Sequence, residues 1–434
     1  MTHHRTSTSF LTFCVALSLT ACATDAPRNA NPTANETALT SINQAVHSVA
    51  ALTSDNPNPL SFEAWLTELM LEAKKQGLND QTLEAIKPFL RLNAKVIELD
   101  QQQPEFTQTF WTYVDKRLSA IRVQAGKVQG YRYESVLKHI ERTQGLPAEI
   151  LVAFWGLETN YGTYLGSFNT LEALTTLAYD QRRSRFFRKE LFAAMRIIEQ
   201  GHIKPADMKG SWAGAVGQMQ FMPSVFLKHA TDADGDQKAN LWASTEDALT
   251  SAAVYLQRSG WQAGQPWLQE VILPPSFDYG LADGKQTFKR DELVQLGIHL
   301  PTNQSWQGEA QDTVSLVLPA GYEGPAFVIW PNFNVIKRWN NSTNYALSVG
   351  LLAQKLSGQS GMSLKAPANT KPWPKTFMVQ LQQTLTDRGY DTGGVDGWFG
   401  SKSTQALRQF QKANQLPADG YPNQATLQKL QLAP

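Results

Sequence analysis

The sequence predicts a mainly helical (α+β) fold, in which a helical body carries a small sheet and is followed by a compact helical module. Two observations predict this fold. Apolar residues recur at helical spacing over most of residues 62–259. Between about 262 and 335 they form short runs of strand length instead, and a linker rich in Gly, Ser and Pro precedes the last segment.

The composition is that of an ordinary globular protein, with 42% hydrophobic and 18% charged residues. A length of 434 residues suggests about two or three domains. The chain has 39 basic and 38 acidic residues, for a formal net charge of +1. Because nucleic-acid binding depends on neutralising phosphates with basic residues, this balance argues against a nucleic-acid partner.

The first 22 residues have the pattern of a secretory signal. An apolar run from Phe10 to Leu19 follows Arg5 and is too short to span a membrane. The sequence Leu19-Thr20-Ala21-Cys22 resembles a bacterial lipoprotein signal, with Cys22 as the lipidated residue; ordinary cleavage after Ala21 is the alternative. In such lipoproteins Ala23 implies an outer-membrane lipid anchor, facing the periplasm of a Gram-negative bacterium.

The remaining elements follow in chain order. Residues 23–59 are rich in Ala, Asn, Thr and Pro and predict a flexible tether. Helical spacing predicts a body over 60–356 with helices at 62–92 (broken by Gly77 and Pro88), 106–123, 135–143, 147–159, 182–200 and 247–259. Pro147 is expected in a first helical turn. The runs 314–318 and 326–330 predict strands.

A linker over 357–373 separates this body from a module at 374–432. The module contains a weak internal echo, in which Asp396-Gly397 and Asp419-Gly420 each precede a short amphipathic helix. The segment is too small for chemistry without cofactor ligands. It is therefore predicted to be a helical binding module.

Glu158 is the candidate catalytic residue. It lies four residues after Phe154 and eight after Ile150, so a helix would place its carboxyl on an apolar stripe. Apolar surroundings favour a protonated carboxyl, as a general acid requires. Gly156 and Gly162 are expected to leave room for a ligand. A structural carboxylate with satisfied hydrogen bonds is the alternative.

A second informative segment, 211–224, combines small residues with amides. Ser211 and Gln220 can bond hydroxyl and acetamido groups, while the small residues let a bulky ligand approach the backbone. A Gly-rich surface loop is the alternative. Trp212 and Phe221 argue against it, because large aromatic residues are poor filler for an exposed loop.

Three segments, 156–162, 211–224 and 332–340, occur in this order and spacing in one family. The chain resembles the membrane-bound lytic murein transglycosylase B family over roughly 60–356, which implies a lysozyme-like catalytic core. The resemblance implies that Glu158 is the single acid/base. It also implies a sugar cleft lined by Ser211, Gln218, Gln220, Asn340, Tyr113, Tyr255, Trp339 and Tyr345. Trp339 stands where some relatives have Tyr, which keeps a stacking face.

The family's chemistry needs only one carboxyl group, whereas ordinary glycosidases use two. The nearest acids in sequence, Glu149 and Glu172, lie in no matching motif. The resemblance implies cleavage between N-acetylmuramic acid and N-acetylglucosamine without water and without a required cofactor, leaving 1,6-anhydro ends. A hydrolytic muramidase and a non-catalytic wall-binding lipoprotein are the alternatives.

An Asp-rich segment offers candidate metal ligands in an EF-hand-like pattern: Asp232, Asp234, Asp236, Lys238 and Asp247. The glycine comes one place early, and position twelve is Ala243 rather than Glu. The pattern therefore leaves open a structural calcium site or an Asp-rich turn.

The module resembles the three-helix peptidoglycan-binding domain. Two positions depart from that pattern, Ser403 in place of Thr and Asn423 in place of Gly. Both are tolerable at a cap and a turn. The implied partners are peptidoglycan glycan strands, and association with other cell-wall enzymes is left open.

Overall fold

The computed structural model describes residues 58–101, 108–367 and 372–433. The predicted signal peptide 1–22, its lipidation site Cys22 and nearly all of the tether 23–59 lie outside the described residues. Within those ranges, no helix has both the length and the apolar character needed to cross a bilayer.

The body is mainly helical, as predicted. Half of its helices begin at a Ser, Thr or Asn whose side chain accepts a hydrogen bond from the first turn, which satisfies a backbone donor that the helix leaves free. The helices are α1 Phe62–Lys75, α2 Asp80–Ile86, α3 Ala94–Gln101, α4 Phe110–Arg117, α5 Ala120–Arg132, α6 Glu134–Gln144, α7 Ala148–Thr159, α8 Thr170–Tyr179, α9 Ser184–Glu199, α10 Pro223–His229, α11 Thr245–Arg258, α12 Arg290–Gln295, α13 Pro331–Trp339 and α14 Thr343–Leu356.

Helix α7 lies at the centre of the body. Its residues from Ile150 to Gly156 are all buried, and it packs against α5, α6, α11 and α14. A helix that is apolar on every side must be enclosed by neighbours. Pro147, expected in the first turn, instead immediately precedes it as the cap residue. The enclosed helix fixes the position of Glu158 in its last turn.

Several helical segments differ from the predictions. The helix expected over 106–123 is two helices in its described part, because Ser119 caps a new helix and accepts a hydrogen bond from the Arg122 amide. Helix α8 was not predicted, and neither were α3, α10, α12, α13 and α14. Helix α8 shows one reason. Nine of its ten residues are buried, so its sequence carries no clear polar face for periodicity to detect.

The small sheet has four strands in the order β3-β6-β5-β4, all antiparallel: β3 Leu268–Val271, β4 Phe288–Lys289, β5 Thr313–Val317 and β6 Ala326–Ile329. Strands β5 and β6 are the two that were predicted. A separate pair, β1 Phe168–Asn169 and β2 Lys209–Gly210, lies beside the segment 211–224. The four-stranded sheet has its own apolar core, centred on the fully buried Trp330.

The module contains three helices around a third core: α15 Lys375–Asp387, α16 Ser401–Ala413 and α17 Gln424–Leu430. Helices α16 and α17 are the two that follow the repeated Asp-Gly pairs. The module is not held by the linker alone. The Arg408 guanidinium donates to the backbone carbonyls of Tyr279 and Ala282 in the body.

Candidate active site

Glu158 and Tyr345 form the centre of the candidate site. The Tyr345 hydroxyl on α14 donates a hydrogen bond to Oε1 of Glu158. Tyr345 is only 5% exposed. Burial, together with the nearby Glu158 carboxylate, raises the pKa of Tyr345 well above its ordinary value. The hydroxyl therefore stays protonated and remains a donor across the neutral pH range.

The helix places Glu158 at the edge of the core rather than inside it. Ile150 and Phe154, on the same face, are fully buried, whereas Glu158 is half-buried. Asn160 ends the helix in a left-handed conformation with φ of 50°. The carboxyl thus combines an apolar base with an opening to solvent, which a residue that must meet a polymer substrate needs.

Arg117 is a charged neighbour that the sequence analysis did not single out. Its guanidinium carbon lies 3.4 Å from the centroid of the Tyr113 ring, and Nη1 donates to the Tyr113 carbonyl. Tyr113 is almost fully buried. The positive charge of Arg117 acts on Tyr345, lowering its pKa against the larger effects of burial and Glu158. Arg117 lies four residues after Tyr113, so on a helix the two side chains are neighbours, and this spacing could have predicted the contact.

An aromatic cluster lies next to Glu158. The ring centroid of Trp339 is 4.5 Å from that of Phe154, 5.2 Å from Phe221 and 5.1 Å from Tyr255. The Tyr255 hydroxyl donates to the Arg338 carbonyl at 2.9 Å. Trp339 is half-buried, so part of its indole ring faces solvent. Partly exposed aromatic faces of this kind suit stacking against the apolar face of a sugar ring.

Three of the four polar side chains predicted to line the sugar cleft are half-buried. Asn340 is half-buried at the end of α13. Ser211 Oγ accepts from the Ala215 amide at 3.0 Å, and Gln220 Nε2 donates to the Leu165 carbonyl at 3.1 Å. Both of these half-buried side chains shape the loop while remaining partly open to solvent.

Gln218 is placed differently from its prediction. It is only 3% exposed, and its Oε1 accepts from the Thr245 hydroxyl at 3.3 Å. Its backbone carbonyl accepts from Thr159 at 2.7 Å. The geometry therefore favours a role in tying the loop to the end of α7 over direct contact with a sugar.

The two glycines beside Glu158 do not leave room for a ligand, contrary to expectation. A Cβ on Gly156 would lie 2.6 Å from the Tyr161 ring, and one on Gly162 would lie 2.7 Å from Gln218 Oε1. Gly162 also has a φ of 75°, which favours glycine. Protein side chains fill the space at both positions. Sequence alone does not reveal what occupies the space beside a glycine.

Neither of the two acids nearest in sequence is placed to pair with Glu158. Glu149 begins the same helix nine residues earlier, about 13.5 Å away along the axis. This exceeds the separation of roughly 6.5–9.5 Å that an inverting glycosidase uses. Glu172 accepts from Arg91 and Asn93 at 2.7 and 2.6 Å. The Glu149 carboxylate is thus too distant, and the Glu172 carboxylate is already engaged.

The candidate metal segment brings together three carboxylates. Ligand oxygens of Asp232, Asp234 and Asp247 all lie within 4.8 Å of one another. Asp236, although predicted with them, is not a member of this group, and its Oδ1 accepts from the Lys238 amide. Asp247 is fully buried, and its two oxygens accept from the Ala233 and Asn240 amides. An all-oxygen group of this kind suits a hard cation such as calcium.

Two family models match the chain. Residues 61–354 match the transglycosylase SLT domain, and residues 376–430 match the putative peptidoglycan binding domain. The chain is 30% identical over 322 residues to membrane-bound lytic murein transglycosylase B of Escherichia coli K12, a match that covers 72% of this chain and 86% of that protein.

Solved structures agree with these matches. SltB3 from Pseudomonas aeruginosa, in complex with NAG-anhNAM-pentapeptide, is 38% identical with a TM-score of 0.81, covering 85% of this chain and 99% of that one. The match therefore extends beyond the SLT region. The E. coli lytic transglycosylase Slt35, in complex with calcium, is 30% identical with a TM-score of 0.58, covering 67% and 92%. The chain belongs to the SLT transglycosylase family and is a lytic transglycosylase, an enzyme that cleaves peptidoglycan.

Proposed function

We propose that Glu158 acts alone as acid and then base in cleaving the bond between N-acetylmuramic acid and N-acetylglucosamine. The observation that carries this assignment is the carboxyl at the exposed end of a buried helix, held by the Tyr345 hydroxyl, with the nearest acids in sequence engaged or distant. The relative solved with NAG-anhNAM-pentapeptide supports the same substrate class.

The reaction proceeds in two steps through this carboxyl. Protonated Glu158 gives its proton to the glycosidic oxygen, and the bond to the muramyl anomeric carbon breaks as the N-acetylglucosamine oxygen leaves. The muramyl acetamido group assists this departure. The Glu158 carboxylate then takes the proton of the muramyl 6-hydroxyl, whose oxygen bonds to the anomeric carbon. The product is a 1,6-anhydro ring, and no water is consumed.

Tyr345 has a positioning role in this scheme. Its hydroxyl donates to one Glu158 oxygen and stays protonated, so it holds the carboxyl in one orientation and supports the carboxylate formed after proton transfer. Ser211, Gln220, Asn340, Tyr255 and the exposed face of Trp339 are proposed to contact the sugars. Tyr113, also predicted as a sugar contact, is only 1% exposed, and its ring packs against Arg117 instead.

Digestion of purified peptidoglycan in heavy-oxygen water should leave the new ends unlabelled. The 6-hydroxyl is tethered to the reacting ring, and such groups reach effective molarities of roughly 10⁵ M, far above water at about 55 M. Mass analysis should therefore find muramyl ends about 18 Da lighter than reducing ends. A hydrolytic muramidase run in parallel controls for labelling. Substantial incorporation of heavy oxygen would instead identify a hydrolase.

We further propose that the module retains the enzyme on peptidoglycan. Its match to the peptidoglycan binding domain family covers 376–430, nearly all of its three helices. The module has its own apolar core, separate from the catalytic core. It can therefore provide a second point of attachment to the same polymer. Attachment at two points raises the effective concentration of the enzyme at the wall.

The cluster of Asp232, Asp234 and Asp247 is proposed to bind structural calcium. Added calcium at about 100 times its dissociation constant should stabilise the fold by about 2.7 kcal/mol, which corresponds to a rise in Tm of about 5 °C. Asp234→Asn should abolish this rise in a thermal unfolding assay, and Asp236→Asn, outside the cluster, should preserve it. An unchanged Tm in calcium-treated, chelator-stripped wild-type protein would count against the site.

We propose an outer-membrane lipoprotein anchored through Cys22 and facing the periplasm. The support is the sequence Leu19-Thr20-Ala21-Cys22, and the name of the E. coli relative is that of a membrane-bound enzyme. Cys22→Ser should move the protein from the membrane to the soluble fraction of cells. Cys14→Ser, within the signal, is the matched control and should stay with the membrane. Retention of the Cys22 variant at the membrane would contradict a lipid anchor.

A further inference from the structure

The two halves of the module are built around the same hydrogen-bond network. In each half, a glutamine on a helix holds an Asp-Gly pair and the start of the next helix. Gln382 Nε2 donates to Asp396 Oδ1 at 3.0 Å, and its Oε1 accepts from the Gly397 amide at 2.7 Å. The equivalent contacts in the second half join Gln411 to Asp419 at 2.7 Å and to the Gly420 amide at 2.8 Å.

The correspondence continues at the hydroxyl that closes each network. Gln382 donates to Ser403 Oγ at 3.1 Å, and Gln411 donates to Thr426 Oγ1 at 3.1 Å. The structure therefore contains two equivalent loops, the first-half loop 391–400 and the second-half loop 418–423. Because the two loops share one internal framework, a difference in their surroundings reflects how each is used.

The second-half loop is used to hold the module on the body. Asp419 is only 2% exposed, and its Oδ2 accepts from the Tyr322 amide at 2.9 Å. Beside it, Arg408 donates to the carbonyls of Tyr279 at 3.2 Å and Ala282 at 3.0 Å. In the first half, Val379 occupies the position of Arg408, against the corresponding glycine. The docking residues thus belong to one half alone.

The first-half loop faces solvent. Asp396, the counterpart of the buried Asp419, is exposed, and Val395 is 37% exposed. The ion pair of Asp391 is made with Lys402 of the same module. Trp398 is half-buried, with the Lys375 ammonium 4.7 Å from its ring centroid. The loop therefore offers an exposed carboxylate, an exposed small apolar side chain and a partly exposed aromatic ring.

We propose that the first-half loop is the wall-contact surface of the module, and that the equivalent second-half loop serves instead to dock the module on the body. The inference rests on the peptidoglycan-binding role proposed for the module. A glycopeptide polymer presents acetamido groups, hydroxyl groups and sugar faces. A solvent-facing carboxylate and an adjacent indole suit these groups. The docked loop is covered by the body and cannot meet an extended polymer.

The test is retention of the full chain on insoluble peptidoglycan, measured by sedimentation in a Glu158→Gln background so that the wall is not digested. Trp398→Ala, and the pair Val395→Ser with Asp396→Asn, should each weaken retention about tenfold, as for loss of a central contact residue. Asp396→Asn keeps the oxygen that accepts from Gln382, so the internal network survives. Trp398→Phe should restore much of the binding if an aromatic face is what matters.

Arg408→Met and Lys412→Ala are the matched variants in the other half and should stay within about twofold of the parent. Thermal unfolding verifies that each variant is folded. Loss of retention in Arg408→Met with unchanged binding in the loop variants would place the contact in the second half and overturn the proposal. A chain lacking residues 372–433 distinguishes a wrong contact surface from a wrong binding role for the whole module. If it binds as well as the parent, the module's binding role itself is wrong.

Discussion

Replacing Glu158 with Gln should lower the rate of peptidoglycan cleavage by about 10⁴-fold or more, because proton transfer by a positioned group contributes about 10²–10⁴-fold and this group acts in both steps. The amide oxygen of Gln can still accept the hydrogen bond from Tyr345, so the local geometry should persist. The amide cannot deliver a proton. Release of soluble muropeptides from purified wall measures the rate, and sedimentation with the wall measures binding, which should be unchanged.

Two further variants calibrate this result. Tyr345→Phe removes one hydrogen bond to a charged group, a contribution of about 1.5–3 kcal/mol, and should slow cleavage by roughly 10- to 100-fold. Glu149→Gln, in the first turn of the same helix, should leave the rate within about twofold, because its carboxyl is remote from the site. Near-normal cleavage by the Glu158 variant would end the assignment of this residue as the acid.

A large loss of stability is expected at Gly156. Its substitution by Ala should lower the free energy of unfolding by about 2–3 kcal/mol, since an added Cβ would lie 2.6–2.7 Å from three atoms of the Tyr161 side chain. That ring cannot withdraw easily, because its hydroxyl donates to the Arg122 carbonyl at 2.8 Å and Trp155 packs edge-on against it. The Tm should fall by about 4–6 °C.

Gly130 on the neighbouring helix α5 provides the matched control. The nearest atom to a Cβ there is 3.9 Å away, which is ordinary contact. Gly130→Ala should be neutral or stabilise the helix by up to about 1 kcal/mol through its higher helix propensity. Thermal unfolding followed by circular dichroism compares the two variants. Equal Tm values for the Gly156 variant and the parent would show that Tyr161 moves aside without cost.

Much of the fold was predictable because the relevant signals are local. Periodicity located α1, α6, α9 and α11, Pro147 indicated the start of α7, and two strand-length apolar runs located β5 and β6. Among the helices that were missed, α8 is buried on nearly every side, and the break at Ser119 depends on a single cap. Periodicity is informative only where one face of an element meets water.

The candidate site, like the fold, was predictable only in part. Glu158 was first singled out by its place on an apolar helical stripe, whereas Tyr345, 187 residues away in sequence, was named only by the motif resemblance. The resemblance also named Gln218 as a sugar contact, whereas in the structure this side chain is buried against Thr245. A motif identifies which residues belong to a site. It does not tell a side chain that touches the ligand from one that holds the loop behind it.

The sequence by itself determined the mainly helical class, the family and the choice of Glu158 as the candidate acid, because these depend on residue types at fixed spacings along the chain. Only the tertiary structure decided which carboxylates converge at the Asp-rich segment, that Tyr161 and Gln218 fill the space beside the two glycines, and that Arg408 docks one half of the module on the body. Each of these depends on contacts between segments distant in sequence. Such contacts are set by how the buried faces of α7, α14 and the sheet pack together, and a local pattern carries no record of that packing.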